Sequence, residues 1–466
     1  MGEIFGTDGV RDRAGQGWLA PEQVRRLALC TGLILRGSPK LFRTPVPKEF
    51  RHLAKGRRES GPGKGRVLIG RDTRASGPEL EASLVEGFSM AGVGTILAGV
   101  LTTPGVAALT RRWACALGVV ISASHNPAED NGIKLISPQG FKIPDAAEAA
   151  IEARLDGPAP KLAIKKPGDS KRAEKKTGDY LELLEAVAPR LKGLKIVADC
   201  AHGASSAYAG ELLRRLGAKA IVLNAAPDGL NINAGCGALH PEGLAKAVRR
   251  EKADAGVAFD GDADRAIFVD ETGEIRDGDH VLAICGAHLA ESGKLPGKVV
   301  VSTVMANLGL ERVLAKRGIA LRRTKVGDRY VAEEMLKTGA VLGGEQSGHV
   351  LFYDAAPAGD GMLTMLRVLG ILAERGEPFS KAASLLVKYP QVLLNVKVAR
   401  KPPLEEVDGV QGAIRSAEAA LGEEGRVLVR YSGTENLCRV MVEGAEKKDV
   451  DRTARAVADA VKEALA

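Results

Sequence analysis

The stretch of sequence that decides the fold is residues 67–100, which read VLIGRDTRASGPELEASLVEGFSMAGVGTILAGV. The apolar run at 67–70 predicts a buried strand, and apolar residues recur at helical spacing over 78–91. A second apolar run at 95–100 predicts the next strand of the same sheet. Strand, helix and strand in this order indicate a βαβ unit, and therefore an α/β fold.

The same pattern recurs twice more along the chain. Predicted strands flank a predicted helix in each case, at 194–198, 205–216 and 220–223, and at 298–302, 308–317 and 319–323. Three similar α/β domains in series are therefore predicted, each with a mixed sheet and helices on both faces.

The end of the chain has a different pattern. It alternates between strand-like and helical stretches, at 391–398, 403–421, 426–430, 437–442 and 447–466. This βαββα order predicts a smaller C-terminal α+β domain. The predicted domains are 1–155, 156–272, 273–386 and 387–466.

Composition excludes several classes of protein. The 466 residues are 45% hydrophobic and 27% charged, as in an ordinary globular chain, and they rule out a small disulfide scaffold. Lys and Arg number 66 against 58 Asp and Glu, but residues 36–66 alone carry ten basic and two acidic residues. A second basic stretch lies at 161–176. Both are rich in Gly, Pro and Lys and read as solvated loops in preference to a nucleic-acid arm, so no nucleic acid is expected as a partner.

The cysteines and the N-terminus indicate the cellular compartment of the protein. The six cysteines are scattered and never form a C-x-x-C pair, which favours reduced thiols in a protein core. The N-terminus lacks the basic start and apolar run of a signal peptide, and no window approaches the apolar length of a membrane span. A cytoplasmic protein with no membrane partner is expected.

The first candidate site is the loop 121–127, Ile-Ser-Ala-Ser-His-Asn-Pro, which follows a predicted strand. Ligands bind where loops leave the carboxyl ends of strands in open α/β sheets. Ser, Asn and Pro also form ordinary turns, so this motif alone leaves both interpretations open. A base for a serine here is expected from elsewhere in the fold, because neighbouring side chains such as Ser124 and His125 tend to point apart.

The second candidate site, an acidic loop, is a more specific motif than the first. The segment 257–270 runs from one predicted strand to the next through Asp260, Asp262 and Asp264, separated only by Gly and Ala. Three carboxylates at alternate positions repel one another unless a cation lies among them, and oxygen ligands of this kind suit Mg²⁺. The alternative is an acidic β-turn, which gains nothing from a third buried acid.

Two further loops carry clustered polar groups. Residues 343–349 place Glu, Gln, Ser and His between glycines, which suits a polar ligand with hydroxyl groups; a plain hairpin turn is the alternative. Residues 430–436 offer a guanidinium, hydroxyls and glycine-adjacent amides, which suits a phosphate. The loop 5–11 is a further glycine-punctuated segment that ends in Arg11.

These loops, in this order across essentially the whole chain, resemble those of the α-D-phosphohexomutase family. The likeness is nearest to its bacterial branch that acts on glucosamine phosphates. The resemblance implies three similar mixed-sheet α/β domains and a smaller α+β domain around a central cleft. It also implies a serine that carries a phosphoryl group, and Ser124 matches that serine while Ser122 matches its structural companion.

The resemblance assigns the remaining positions as follows. It makes Asp260, Asp262 and Asp264 the ligands of one Mg²⁺ per active site, with Ser124 contributing the fourth ligand through its phosphate. It makes Lys134, Arg11 and His349 the groups that assist proton transfer and balance charge. It implies that substrate is bound by Glu345, Ser347, Arg265, Arg430, Ser432, Gly433 and Thr434.

The implied reaction is the interconversion of glucosamine 6-phosphate and glucosamine 1-phosphate, on the route to UDP-N-acetylglucosamine and cell-wall precursors. A phosphoserine enzyme and a 1,6-bisphosphate intermediate, which also serves as activator, are implied with it. The alternatives are a mutase of mannose or glucose phosphates and a metal-dependent sugar phosphatase; a non-catalytic sugar-phosphate sensor is a third. The expected partner is a small sugar phosphate, and the assembly state, including a homodimer, stays open.

Overall fold

The predicted strand at 67–70 is the centre of a six-stranded mixed sheet. The structure, a computed structural model, describes residues 4–6, 9–54, 63–158, 166–432 and 436–466. Strand β2 pairs in parallel with β3 and β4, whereas β5 is antiparallel to β1 and β4. In chain order the strands are β1 (Val10–Arg13), β2 (Val67–Arg71), β3 (Thr95–Val100), β4 (Leu117–Ile121), β5 (Asp130–Ile136) and β6 (Ser170–Arg172).

The helices that accompany this sheet bury it. The side chains of Val67, Ile69, Val119 and Ile121 are fully buried in one apolar cluster with residues of α1 and α3. Thr102 caps α4, because its side chain accepts a hydrogen bond from the Gly105 N–H. The helices are α1 (Pro21–Gly37), α2 (Arg51–Ala54), α3 (Gly77–Met90), α4 (Thr103–Arg112), α5 (Asp145–Asp156) and α6 (Gly178–Glu185).

The second sheet has five strands in the order β11-β10-β9-β7-β8. Strand β7 is parallel to β8 and β9, and β10 is antiparallel to β9 and β11. The elements are β7 (Lys195–Asp199), α7 (Ala209–Arg215), β8 (Lys219–Leu223), α8 (Glu242–Glu251), β9 (Ala255–Phe259), β10 (Ala266–Asp270) and β11 (Ile275–Arg276).

The third sheet has four strands in the order β13-β12-β14-β15 and is also mixed. The prediction of three mixed α/β sheets in series is therefore confirmed. The elements are α9 (Gly278–Glu291), β12 (Val299–Thr303), α10 (Leu308–Ala315), β13 (Ala320–Thr324), α11 (Asp328–Thr338), β14 (Leu342–Gly344), β15 (Val350–Phe352), α12 (Gly361–Arg375) and α13 (Phe379–Ala383).

The C-terminal elements form a three-stranded antiparallel sheet in the order β16-β18-β17, with two helices, in the predicted βαββα order. Val440, Val442, Val457 and Val461 lie in its fully buried core. The elements are β16 (Gln391–Lys397), α14 (Asp408–Leu421), β17 (Arg426–Tyr431), β18 (Leu437–Glu443) and α15 (Lys447–Leu465).

The chain divides into two compact units. One contains residues 1–305 and 318–385, and thus the three mixed sheets; the other contains 306–317 and 386–466. Helix α10 therefore belongs with the C-terminal sheet, although it lies between β12 and β13 in sequence. The first sheet extends past the predicted boundary at residue 155, because β6 pairs with β3; the four domain boundaries themselves stay a prediction.

The first basic stretch is anchored by aromatic side chains. Its described part keeps Lys40 and Arg43 exposed, as predicted for a solvated loop, but Phe42 and Phe50 are buried. Phe50 packs edge-on against Tyr353, with ring centroids 5.3 Å apart. Wherever it is described, the stretch is thus a surface segment that packs onto the core through Phe42 and Phe50.

All six cysteines are buried thiols, as predicted from their scatter. Among the described residues, no helix has both the length and the apolar character that crossing a bilayer requires.

Candidate active site

Ser124 lies in the loop that joins β4 to β5, at the carboxyl end of β4. It is 1% exposed, and its φ of 53° places the backbone in the left-handed region that side chains other than Gly rarely adopt. Its Oγ donates a hydrogen bond to Asp260 Oδ2 at 2.5 Å. The predicted partner from elsewhere in the fold is therefore Asp260.

His125 does not point away from Ser124 as expected, because its Nδ1 lies 3.4 Å from Ser124 Oγ. Burial, and then the charges of Arg265 and Arg11, lower the pKa of His125 to about 4. The imidazole is therefore neutral at pH 7, and it is a weak base beside the serine.

The acidic loop joins the antiparallel strands β9 and β10 of the second sheet. All three of its carboxyl groups are buried, and one oxygen of each lies within 4.8 Å of one oxygen of the others. Ala263, which lies between Asp262 and Asp264, has a φ of 58°, so the backbone turns tightly between the two strands. The side chains of the three aspartates converge at this turn.

Three cationic groups surround these acids. Lys134 Nζ, from β5, lies 3.1 Å from Asp262 Oδ2 and 3.6 Å from Asp264 Oδ2. His349 Nδ1 lies 3.6 Å from Asp264 Oδ1. The Arg265 N–H donates to Asp260 Oδ1 at 3.1 Å, and its guanidinium lies 3.9 Å from Asp264 Oδ1. The predicted catalytic lysine and histidine thus lie at the predicted metal site.

The protonation states of this cluster differ from residue to residue. Burial, reinforced by Asp264 and Asp262, raises the pKa of Asp260 well above its ordinary value. Burial also opposes ionisation of Asp264, but Lys134 and then His349 outweigh it and hold the pKa of Asp264 well below its ordinary value. Burial opposes charge on His349, yet Asp264 raises the pKa of His349 to about 9, so His349 is a cation at neutral pH.

Two carboxylate oxygens of the cluster accept no hydrogen bond within the described part of the chain. They are Asp262 Oδ1 and Asp264 Oδ1, both buried. A buried carboxylate oxygen without a donor is costly unless a cation approaches it. Asp264 Oδ1 is already approached by the cations His349 and Arg265, whereas no ion pair reaches Asp262 Oδ1 among the described residues. The all-oxygen donor set and this oxygen of Asp262 fit a hard divalent cation such as Mg²⁺.

The loop between β14 and β15 contributes Glu345, Gln346 and Ser347 to the same unit. Glu345 Oε1 accepts a hydrogen bond from the Gly327 N–H at 3.1 Å, and burial raises the pKa of Glu345. Ser347 is exposed. Gln346 Nε2 donates to Asp279 Oδ2 at 3.0 Å, so this amide is engaged by the first turn of α9.

Arg11 lies on β1, where its Nη1 is 3.5 Å from Asn126 Oδ1, two residues beyond Ser124. It thus contacts the serine loop.

The predicted phosphate loop belongs to the second unit. Arg430 lies on β17, and burial, together with Arg439, lowers its pKa. Ser432 is buried, and its carbonyl oxygen accepts a hydrogen bond from Lys401 Nζ at 3.0 Å. Gly433 and Thr434 lie outside the described residues.

Sequence reasoning missed several polar residues at this site. Thr103 Oγ1 donates to Asp262 Oδ2 at 2.6 Å, and its N–H donates to the Asp262 carbonyl. Asp72 and Arg74 contact the serine loop, because Asp72 accepts a hydrogen bond from Ser122 Oγ and Arg74 donates one to the Ser124 carbonyl. Asn233, which follows β8 of the second sheet, donates to the same carbonyl. The sequence did contain one signal for three of these residues. The carboxyl ends of β2 and β3, where ligands bind in α/β sheets, are followed by Asp72, Arg74 and Thr103.

Comparison with protein families accounts for most of the chain. Residues 50–160, 178–273 and 277–389 match models described as alpha/beta/alpha domains I, II and III of phosphoglucomutase/phosphomannomutase. Residues 393–460 match the model of the C-terminal domain of the same proteins.

Comparison with individual proteins gives full-length similarities. The chain is 47% identical, over 100% of both sequences, to a phosphoglucosamine mutase of Symbiobacterium thermophilum. A crystal structure of a phosphoglucomutase/phosphomannomutase family protein from Burkholderia thailandensis is similar with a TM-score of 0.79, 24% identity and coverage of 99% of this chain and 97% of that one. The Aspergillus fumigatus N-acetylphosphoglucosamine mutase in complex with GlcNAc-6P and magnesium is similar with a TM-score of 0.64, 18% identity and coverage of 99% and 96%.

Proposed function

This chain belongs to the phosphoglucomutase/phosphomannomutase family, whose members are isomerases that transfer a phosphoryl group, and we propose that it interconverts glucosamine 6-phosphate and glucosamine 1-phosphate. The full-length relative at 47% identity, named phosphoglucosamine mutase, supports this choice of sugar. The observation that carries the chemistry is the Ser124 hydroxyl, held 2.5 Å from a cluster of three buried aspartates.

Ser124 is the proposed carrier of the phosphoryl group. Phosphorylated Ser124 gives its phosphoryl group to O1 of glucosamine 6-phosphate: the Oγ–P bond breaks, an O1–P bond forms, and Ser124 Oγ takes up a proton in place of the one that O1 loses. The resulting 1,6-bisphosphate then presents its other end, the O6–P bond breaks, and the phosphoryl group returns to Ser124 Oγ. O6 takes up a proton, so phosphate and protons balance over the cycle.

Asp260, Asp262 and Asp264 are the proposed ligands of one Mg²⁺, with the phosphate on Ser124 contributing an oxygen. The A. fumigatus relative was crystallised with magnesium, which agrees with this assignment. When bound, the ion supplies positive charge against the oxygens of the transferring group. The buried Asp262 Oδ1, which accepts no hydrogen bond within the described residues, supports the assignment from this chain's own geometry.

Charge balance is the proposed task of Lys134, Arg265 and His349. Each is a buried or half-buried cation within 4 Å of a carboxylate of the cluster. Phosphoryl transfer passes through a loose transition state, in which catalysis is mostly positioning and stabilisation of charge. Proton transfer to and from the sugar oxygens is proposed for Lys134, with Arg11 and His349 steadying the charge.

The substrate contacts are proposed as follows. Glu345 and Ser347 bind the sugar hydroxyls, and Arg265 steadies the phosphate near the acidic cluster. Arg430 and Ser432, with Gly433 and Thr434, bind the phosphate that is not being transferred; Arg suits this role because its guanidinium can grip a phosphate with two hydrogen bonds. A cytoplasmic location belongs to the same proposal.

The test is a turnover assay with purified enzyme, Mg²⁺ and catalytic bisphosphate. Glucosamine 6-phosphate should be converted to the 1-phosphate with no release of inorganic phosphate. Faster conversion of mannose or glucose phosphates would overturn the choice of sugar, and phosphate release in step with substrate loss would overturn the mutase mechanism in favour of hydrolysis. Intact mass of the purified chain should show one added phosphate, absent in Ser124→Ala.

A further inference from the structure

Arg74 is an unusual residue for the interior of a protein, because its guanidinium is completely buried. Its Nε donates to Asp72 Oδ2 at 2.9 Å, so the charge is paired. The other nitrogens do not reach a second acid; they donate to backbone carbonyls of the serine loop. Nη2 donates to the carbonyls of Ser124 and Asn126, at 3.0 and 2.8 Å, and Nη1 to those of Asp130, at 2.9 Å, and Pro127.

Asn233 reaches two of the same carbonyls from another sheet. It follows β8 of the second sheet, and its Nδ2 donates to the carbonyl of Ser124 at 2.9 Å and to that of Asn126 at 3.0 Å. Each of these carbonyls thus accepts a hydrogen bond from Arg74 and one from Asn233. The first sheet and the second sheet therefore hold the serine loop at the same two atoms.

The amide side of Ser124 is held as well. Ser122 Oγ accepts a hydrogen bond from the Ser124 N–H at 2.9 Å and donates to Asp72 Oδ2 at 2.6 Å. Asp72 is in turn the partner of Arg74. A single connected network consequently fixes both the N–H and the C=O of the residue whose hydroxyl faces Asp260.

The left-handed backbone of Ser124 explains why so many hydrogen bonds hold this residue. A left-handed conformation at a residue other than Gly is unfavourable, and it persists only where the surroundings hold it. The conformation of Ser124 sets the direction of Cβ, and therefore where Oγ lies relative to the acidic cluster. A displacement of about 1 Å in a reacting group can cost about a hundredfold in rate.

We propose that Arg74 and Asn233 are positioning residues for phosphoryl transfer, which hold the Ser124 peptide so that Oγ faces the acidic cluster. Neither side chain has a part in binding the sugar phosphate or in proton transfer. The proposal rests on the proposed function, since it needs Ser124 to be the phosphoryl carrier.

Asn233 offers a matched control for its test. Asn224 also follows β8, also has a left-handed backbone, with φ of 49° against 60° for Asn233, and also donates through its Nδ2, but to Asp199. Asn224→Ala and Asn233→Ala therefore impose the same backbone penalty and the same loss of an amide. Only Asn233→Ala removes hydrogen bonds to the serine loop.

The experiment compares both variants with the wild-type enzyme, each first fully phosphorylated as judged by intact mass. We expect Asn233→Ala to lower kcat by about tenfold to a hundredfold with KM within about twofold of wild type, and Asn224→Ala to change kcat by less than about threefold. Amide hydrogen exchange in residues 123–126 should be faster in Asn233→Ala alone. Arg74→Lys, which keeps the charge but loses the fork of donors, should lower kcat further.

Equal losses in Asn224→Ala and Asn233→Ala, or an unchanged kcat in Asn233→Ala, would overturn the proposal. The exchange measurement needs no substrate, so an Asn233→Ala loop that exchanges at the wild-type rate would overturn it even if Arg74→Lys failed to fold. A wild-type enzyme that does not turn over glucosamine phosphates at all would contradict the proposed function instead, and the exchange result would still report on the loop.

Discussion

Ser124 Oγ lies 2.5 Å from Asp260 Oδ2, although the two residues are 136 positions apart and lie in loops of different sheets. Ser124→Ala should therefore reduce turnover below detection with the fold unchanged, because the hydroxyl that carries the phosphoryl group is gone. The measurement is steady-state turnover beside a thermal melt.

Ser122→Ala is the matched control for this change. Its hydroxyl faces Asp72 and the Ser124 N–H, not the acidic cluster, so measurable activity should remain. If Ser122→Ala were inactive and Ser124→Ala active, the identity of the phosphoryl carrier would be wrong.

Removal of the metal should abolish turnover, and Asp262→Asn should weaken Mg²⁺ binding more than it weakens the fold. The variant loses one ligand charge, while in the absence of metal it also relieves repulsion among three buried carboxylates. Titration calorimetry gives the metal affinity, and melts in EDTA give the stability. Asp254→Asn, an exposed change of the same charge just before β9, should alter neither. Full activity in EDTA would contradict the metal assignment.

Arg430→Ala should lower kcat/KM by about tenfold to a hundredfold or more, because a bidentate, charge-assisted contact to phosphate is about twice as strong as a neutral hydrogen bond. The bisphosphate should escape during its reorientation, so free bisphosphate should be detectable and added bisphosphate should partly restore the rate. Single-turnover transfer from labelled phosphoenzyme measures both effects.

Arg452→Ala is a suitable control for Arg430→Ala, since this arginine of the same unit has a largely exposed side chain. Undiminished transfer with no leakage in Arg430→Ala would show that β17 has no part in binding phosphate.

Asp360 should make stability depend on pH. It caps α12 and accepts a hydrogen bond from the Tyr180 hydroxyl, yet burial raises its pKa to about 6. Because the folded chain binds this proton more tightly than the unfolded chain, the contribution is fully present below about pH 4 and is lost as the pH rises through about 6. The loss is on the order of 3 kcal/mol.

Asp360→Asn should abolish that part of the pH dependence. The measurement is the difference in unfolding free energy between wild type and Asp360→Asn, in EDTA, at several values between pH 4 and 8. A difference that stays constant across this range would show that Asp360 is ionised throughout.

The sequence predicted the elements closely where apolar periodicity is strong. The strand predicted at 95–100 is Thr95–Val100, and the final helix predicted at 447–466 is Lys447–Leu465. The acidic loop was recognisable because its three acids stand at alternate positions within five residues. Phe42 and Phe50 were hidden in a basic stretch without an apolar period, so their burial could not be read from the pattern.

The support of the site could not be predicted in the same way. Arg74 and Asn233 are 159 residues apart, and nothing local marks the fact that both reach the carbonyl of Ser124. Gln346 belongs to the loop whose polar groups suited a ligand with hydroxyl groups, but its amide donates to Asp279, a contact that only the fold reveals. Pairings between distant loops depend on how the sheets pack, and the local patterns of a single sequence do not reveal that packing.

Helix α10 gives the second unit a constraint on the order in which it can form. Asn307 Nδ2 donates to Glu443 Oε1 at 3.1 Å and to the Tyr389 carbonyl, so the start of α10 is tied to residues made much later. Synthesis proceeds from the N-terminus, and domains generally fold as units while the chain emerges. Residues 306–317 must therefore wait, without their final neighbours, until β16 and β18 have left the ribosome, and a chain that stops at residue 385 would leave Asn307 without either of these partners.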